Sequence, residues 1–286
     1  GEIEKEVVLP NNDLQKGDQG EAVHQLQLGL EKIGYPIQMT SNFDKITTWA
    51  VTDFQLQTNH PLITGLYDEK KREYLKNLLD NEETIHPGEG LPQPENPEQN
   101  TEIIENPYDV LALINKDHAL PNDYIPPDLI IPDVRFPFTE ELPKKQLRKV
   151  AAQALEELFA AADEAGLDLF AQSGYRSYER QDAIFASNVQ QHGEDVANTF
   201  SARPGQSEHQ SGLTMDVTSP DVNFQLIAEF GETEEGIWIQ EHASDFGFII
   251  RYPKGKEEIT KYEYEPWHLR FVGKRAAKEI TENRLT

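Results

Sequence analysis

The chain has 286 residues, 51 acidic against 26 basic, giving a formal net charge of -25, with 37% hydrophobic residues and no cysteine. Its length suffices for one large or two modest cores, and its acidity excludes both a nucleic-acid footprint and charge-driven binding to anionic lipid. The lack of cysteine excludes disulfides, thiol nucleophiles and thiolate metal sites, which leaves histidine and carboxylate as candidate ligands.

No apolar run approaches the length of a membrane span, and the opening Gly1-Glu2-Ile3-Glu4 reads as an artificial or a mature start, with any native signal or anchor expected to be absent from this chain. In chain order, residues 12–80 predict a small three-helix domain. Val23, Leu26, Leu30 and Ile33 share one helical face, and Gly34 supplies a stop. A turn at Asn42-Phe43-Asp44 leads to a second helix with Ala50, Val51 and Phe54. After Thr64-Gly65-Leu66-Tyr67-Asp68 comes a third, with Tyr74, Leu75 and Leu78. The pattern from Leu14 through Gly17, Gly20, Val23 and Leu26-Gln27, with Gly34-Tyr35, Phe54-Gln55 and Thr64-Gly65-x-Tyr67-Asp68, resembles the peptidoglycan-binding domain type 1. That resemblance implies binding to wall glycan or stem peptide, with Trp49, Gln55 and Tyr67 as candidate contacts.

Residues 81–107 carry no Lys or Arg, repeated Glu, and Pro87, Pro92, Pro94, Pro97 and Pro107. They read as an extended, solvated, acidic linker that would hold a second domain close to substrate. The second domain is expected over 108–286. Pro143 precedes a long predicted helix whose stripe is Leu147, Val150, Ala151, Ala154, Leu155 and Leu158, ended by Gly166. Leu167, Leu169 and Ala171 alternate as a strand into Ser173-Gly174-Tyr175-Arg176-Ser177. Ser177 then caps a helix over Tyr178 to Gln191. Helices are also predicted over Phe224–Phe230 and Ile237–Phe246, and a strand over Phe248–Tyr252.

Two stretches carry chemistry. In the first, Leu213, Met215 and Val217 alternate with Thr214, Asp216 and Thr218, a period-two strand, with His209 just upstream across Gly212. In the second, Glu265-Pro266 leads into a strand whose Trp267, Leu269 and Phe271 alternate with His268, Arg270 and Val272. Adjacent strands would bring His209, Asp216 and His268 to one metal, with Glu265 beside its bound water: a mononuclear zinc site with an open position and a general base. His24, His60, His86, His118, His192 and His242 have no companion ligand motif.

Ser207-Glu208-His209-Gln210-x-Gly212-x-x-x-Asp216, followed by Glu265-Pro266-Trp267-His268 and preceded by Ser173-Gly174-Tyr175-Arg176-Ser177, resembles the VanY-type D-alanyl-D-alanine carboxypeptidases. The match runs from Asn115-Lys116 to Phe271. It implies an α+β catalytic domain with a small, mainly antiparallel sheet flanked by helices, of the Hedgehog/D,D-peptidase type, behind the three-helix domain. It also implies one zinc ion on His209, Asp216 and His268, Glu265 as catalytic base, Arg176 on the substrate carbonyl or oxyanion, and Ser207 on the terminal carboxylate. Gln181, Arg203, Tyr175 and Trp267 are further candidates for substrate contact, Arg203 because a guanidinium suits a free carboxylate. The expected activity is release of C-terminal D-alanine from peptidoglycan stems by a D,D-carboxypeptidase, acting as a monomer, secreted or wall-associated, in a bacterium. The same machinery could instead serve an L,D-carboxypeptidase on tetrapeptide stems or a wall endopeptidase; a wall-binding protein with an inactive site is the non-enzymatic alternative.

Overall fold

The structure is a computed structural model and describes residues 6–95 and 102–286. These residues divide into two units: the first takes in residues 6–95 together with Tyr108–Ala112, and the second takes in Glu102–Pro107 and Leu113–Thr286.

The first unit is built on α1 (Glu21–Lys32), α2 (Lys45–Gln57) and α3 (Glu69–Asp80). Val23, Leu26, Leu30 and Ile33 are fully buried beside Trp49, Phe54 and Leu75. Each such aliphatic side chain contributes about 1.5–3 kcal/mol by leaving water. Asp44 and Asp68 cap α2 and α3 by accepting the Thr47 and Lys71 backbone N–H groups at 2.9 and 3.1 Å.

Part of the segment expected as solvated linker is packed here instead. Leu91 is buried, its carbonyl accepts the Trp49 indole N–H, and the buried Asp53 carboxylate accepts the backbone N–H groups of Gly88, Gly90 and Leu91. Proline and glycine make this stretch look like tether, yet a carboxylate collects its amides, and a buried carboxylate left without such donors would be costly. Residues 96–101 of the expected linker lie outside the described residues. Tyr108–Ala112, expected at the start of the second domain, belong to the first unit: Val110 is fully buried, its N–H donates to the Thr64 carbonyl at 3.0 Å, and Asp109 pairs with Lys16 at 2.8 Å. Trp49, Gln55 and Tyr67, expected as wall contacts, are buried, and each makes internal hydrogen bonds, to Leu91, to the 64–66 turn and to Pro10.

In the second unit, β1 (Leu129–Ile130) pairs antiparallel with β2 (Leu147–Arg148), and α4 (Lys149–Glu164) follows directly. The long helix therefore begins later than expected; Pro143 opens a single 3-10 turn and Leu147 lies in a strand. The main sheet runs β3 (Phe170–Ser173), β4 (Thr214–Thr218), β6 (Glu265–Phe271) and β5 (Phe248–Tyr252) in spatial order β3-β4-β6-β5, every pair antiparallel. Between them lie α5 (Tyr178–His192), α6 (Glu194–Phe200), α7 (Glu234–His242) and the single-turn α8 (Glu257–Thr260), and α9 (Lys274–Glu282) follows β6. Ser177 caps α5 by accepting the Arg180 N–H at 3.1 Å. The helix expected over Phe224–Phe230 is absent; Asn223 and Phe224 have left-handed backbone, and only a 3-10 stretch, Ala228–Glu232, forms there. β4 is buried on both faces, with Thr214, Met215, Val217 and Thr218 all fully covered. Its polar side chains therefore face an interior, and this is what allows the strand to carry a site.

Candidate active site

β4 and β6 are neighbours with Asp216 directly opposite His268 in the register, so a carboxylate and an imidazole emerge side by side from the centre of the sheet. His209 comes from the short 3-10 turn Glu208–Ser211, which Gly212 ends with a left-handed φ of 72°. A side chain at Gly212 would be strained there and would also press on Arg148, Leu129 and Pro126. His209 Nε2 lies 3.3 Å from one Asp216 oxygen and His268 Nδ1 lies 3.6 Å from the other. All three side chains are buried, and among the described residues they form a cluster able to hold a metal ion.

The nitrogens turned away from this cluster are both committed. His209 Nδ1 lies 2.7 Å from the Gly174 carbonyl, which fixes the tautomer that leaves Nε2 free. His268 Nε2 lies 3.0 Å from Glu208 Oε1. Glu208 is fully buried, and its other oxygen accepts from Arg270 at 2.6 Å and from Arg251 at 3.1 Å. Tyr252 packs edge-on against the His268 ring at 4.8 Å. Burial alone would raise the Glu208 carboxyl, but Arg270 and Arg251 outweigh it and hold the group ionised, well below the usual carboxylate range. Asp216 is likewise lowered: burial opposes ionisation, and His209, His268 and Arg176 overcome it. For His268 without an ion, burial disfavours the charge, yet hydrogen bonds to Glu208 and Glu265 and the Asp216 charge push its pKa up to about 10.

Glu265 lies at the mouth of the cluster, its Oε2 3.2 Å from His268 Nδ1. A pocket of about 190 Å³ opens over these groups and is lined by Arg176, Gln181, Ser207, Tyr262 and Trp267. Arg176 is held by Gln181, whose Oε1 accepts from it at 2.8 Å and whose amide donates to the Ala202 carbonyl. Burial lowers the Arg176 pKa, and the charges of Asp216 and Glu265 work against that. The Tyr262 hydroxyl is buried and has no hydrogen-bond partner among the described residues.

Two expected substrate contacts are not in this pocket. Arg203 pairs with Glu194 at 2.6 Å and lies over the Phe185 ring, because the exposed α6, not foreseen in the sequence, offers it a carboxylate first. Tyr175 lines a neighbouring groove. Glu208 was missed as a functional residue: it stands one position before a ligand, but its partners His268, Arg251 and Arg270 lie more than 40 positions away, and no local spacing reports that.

The residues can be tested against zinc. Nitrogen and oxygen ligands at about 2.0–2.2 Å in a tetrahedron lie about 3.3–3.5 Å apart. The His209 Nε2–Asp216 Oδ2 spacing of 3.3 Å is of that size, the three candidate ligand atoms lie within 4.8 Å of one another, and Asp216 Oδ1 is buried with no donor among the described residues. Buried imidazole and carboxylate with a spare carboxylate beside them are the donor types that a mononuclear metallohydrolase centre uses.

Comparison with known proteins agrees. Residues 144–274 match the VanY D-alanyl-D-alanine carboxypeptidase family, and residues 19–75 match the peptidoglycan-binding domain family. The Bacillus subtilis protein named putative carboxypeptidase YodJ is 56% identical over 185 residues, covering 65% of this chain and 68% of the relative. The L,D-carboxypeptidase LdcB, solved for its peptidoglycan recognition, shares 55% identity with a TM-score of 0.63, covering 64% of this chain and 86% of that one. A D,D-pentapeptidase VanY from a VanB-type resistance cassette, solved with Zn(II), shares 32% identity with a TM-score of 0.50, covering 62% of this chain and 95% of that one. The chain belongs to the VanY carboxypeptidase family and carries an N-terminal peptidoglycan-binding domain.

Proposed function

We propose that the protein is a zinc carboxypeptidase that releases the C-terminal D-alanine of peptidoglycan stem peptides, outside the cytoplasm and close to the wall. The observation that carries this reading is the convergence of His209, Asp216 and His268 on one point, with Glu265 beside it in a small polar pocket. Bound there, zinc would supply a Lewis acid and a water of lowered pKa. Glu265 Oε2 takes the proton of the attacking water and returns it to the leaving D-alanine nitrogen. The Arg176 guanidinium, aligned by Gln181, faces the carbonyl oxygen as negative charge develops on it. Ser207 and the unpartnered Tyr262 hydroxyl are the donors available to the terminal carboxylate. Gly174 and Glu208 keep both imidazoles in the tautomer and plane that ligation needs. The N-terminal domain binds the wall and raises the local concentration of substrate.

Removal of D-alanine from a pentapeptide is a D,D cut and from a tetrapeptide an L,D cut. The sequence motifs read as D,D; the 55% identity to LdcB favours L,D. Mass spectrometry of both muropeptides after incubation with zinc-loaded protein separates them. Chelator-sensitive loss of one alanine from either supports the carboxypeptidase reading, and the substrate that shortens names the cut. Neither shortening, with zinc bound, sinks it.

A further inference from the structure

Beside the catalytic pocket a larger groove of about 940 Å³ shares Arg176 and Ile184 with it. Its lining includes the apolar Leu142, Phe224 and Leu226 and the basic Lys144 and Arg180. Its lining contains no carboxylate, although acidic residues outnumber basic ones 51 to 26 in the chain. Arg176, at the junction, faces the charges of Asp216 and Glu265. Among the described residues Lys144 and Arg180 have no such neutralising partner: the Lys144 ammonium lies 4.4 Å from the centre of the Phe138 ring, and Arg180 is exposed on the first turn of α5. The catalytic pocket, at about 190 Å³, is much the smaller of the two, and the groove is adjoining space that the remainder of a substrate can enter past Arg176.

We propose that the groove holds the acyl part of the substrate and selects an anionic chain, with Lys144 and Arg180 receiving a free carboxylate upstream of the cleaved bond while the apolar lining covers the aliphatic part. This rests on the carboxypeptidase reading for which end of the peptide lies where. A wall stem peptide is such a chain wherever its glutamyl or diamino-acid carboxylates are left free, and capping them as amides would weaken its hold.

The test is equilibrium binding, by fluorescence anisotropy, of two labelled tetrapeptides ending in D-alanine, one with a free glutamyl carboxylate and one with the carboxamide. Both are titrated against the zinc-loaded full chain carrying Glu265→Ala, with and without Lys144→Glu and Arg180→Glu. The expected result is acid binding about three- to tenfold tighter than amide, the order of one or two partly exposed ion pairs, with the preference shrinking as salt is added. Charge reversal should abolish or invert the ratio. Equal binding of the two peptides, a ratio that survives the double reversal, or no binding of either overturns the proposal. Release of D-alanine by the unsubstituted protein is read separately, so failure of the groove and failure of the catalytic assignment are distinguishable.

Discussion

Two carboxylates flank the candidate metal-holding cluster from opposite sides of the His268 ring, and their environments differ. Glu265 is partly open and accepts no guanidinium hydrogen bond among the described residues. Glu208 is sealed beneath His268, and Arg251 and Arg270 hold it ionised. Glu265→Ala should keep zinc, measured by metal analysis of the purified variant, and lower turnover by about 10²–10⁴, the share ascribed to a positioned acid–base group. Normal activity in that variant would remove Glu265 from the mechanism. Glu208→Gln should act on affinity: a competition titration against a chromogenic chelator should show zinc bound about 10- to 100-fold more weakly, because a neutral amide orients and polarises His268 less well. Unchanged affinity would reduce Glu208 to packing.

At the level of elements, the turn Ser173-Gly174-Tyr175 matters as much as the strands. A Cβ on Gly174 would lie 2.5 Å from the Gln146 carbonyl and 3.0 Å from that of Lys144, backbone atoms that cannot swing aside. Since the Gly174 carbonyl fixes His209, Gly174→Ala should both lower the melting temperature and weaken zinc binding; loss of stability alone would show that the turn does not set the ligand. On α2's side of the molecule, His60 is buried, accepts the Leu62 N–H on Nδ1 at 3.0 Å and leaves Nε2 unpartnered among the described residues. Burial, aided by the nearby Lys71 charge, lowers its pKa below the ordinary 6.5. The unfolded chain therefore binds a proton there before the folded one does, so His60's contribution is steady above pH 6.5 and is lost as the pH falls below it. In His60→Asn, which can still accept the amide but cannot titrate, urea unfolding between pH 7 and 5 should show a shallower loss, by up to about 1.4 kcal/mol per pH unit.

Elements governed by neighbours in sequence were legible before any coordinates. The stripe of α1, the Ser177 cap and the alternation around Asp216 and His268 are local signals, and local chemistry formed them. The seven-residue α6 carries no comparable signal, since a helix with one buried residue offers little periodicity to read. Long-range partners left no trace either: nothing around Gly88 or Leu91 announces that Asp53 will bind their amides, and nothing around Arg203 distinguishes a substrate contact from an ion pair to Glu194.

For the molecule as a whole, the boundary between units is interleaved: the chain gives Glu102–Pro107 to the second unit and then Tyr108–Ala112 to the first. Val110, 30 residues past the end of α3 at Asp80, is fully buried in the first unit's fold. Val110→Ala should therefore destabilise the N-terminal unit by about 1–3 kcal/mol, seen as a lowered first transition in calorimetry, while zinc affinity stays as it was. A change in the zinc-binding transition instead would place this strip with the catalytic fold.

That interleaving bears on how such a protein can be rebuilt. Wall-binding and catalytic regions are usually pictured as beads that recombination can exchange by joining at the string between them. Here a crossover anywhere in residues 81–107 would separate Val110 and Asp109 from the fold they complete, and a hybrid would inherit a binding region with a hole in it. Exchange of the wall-binding region, by evolution or by an engineer, has to carry the strip at 108–112 with it.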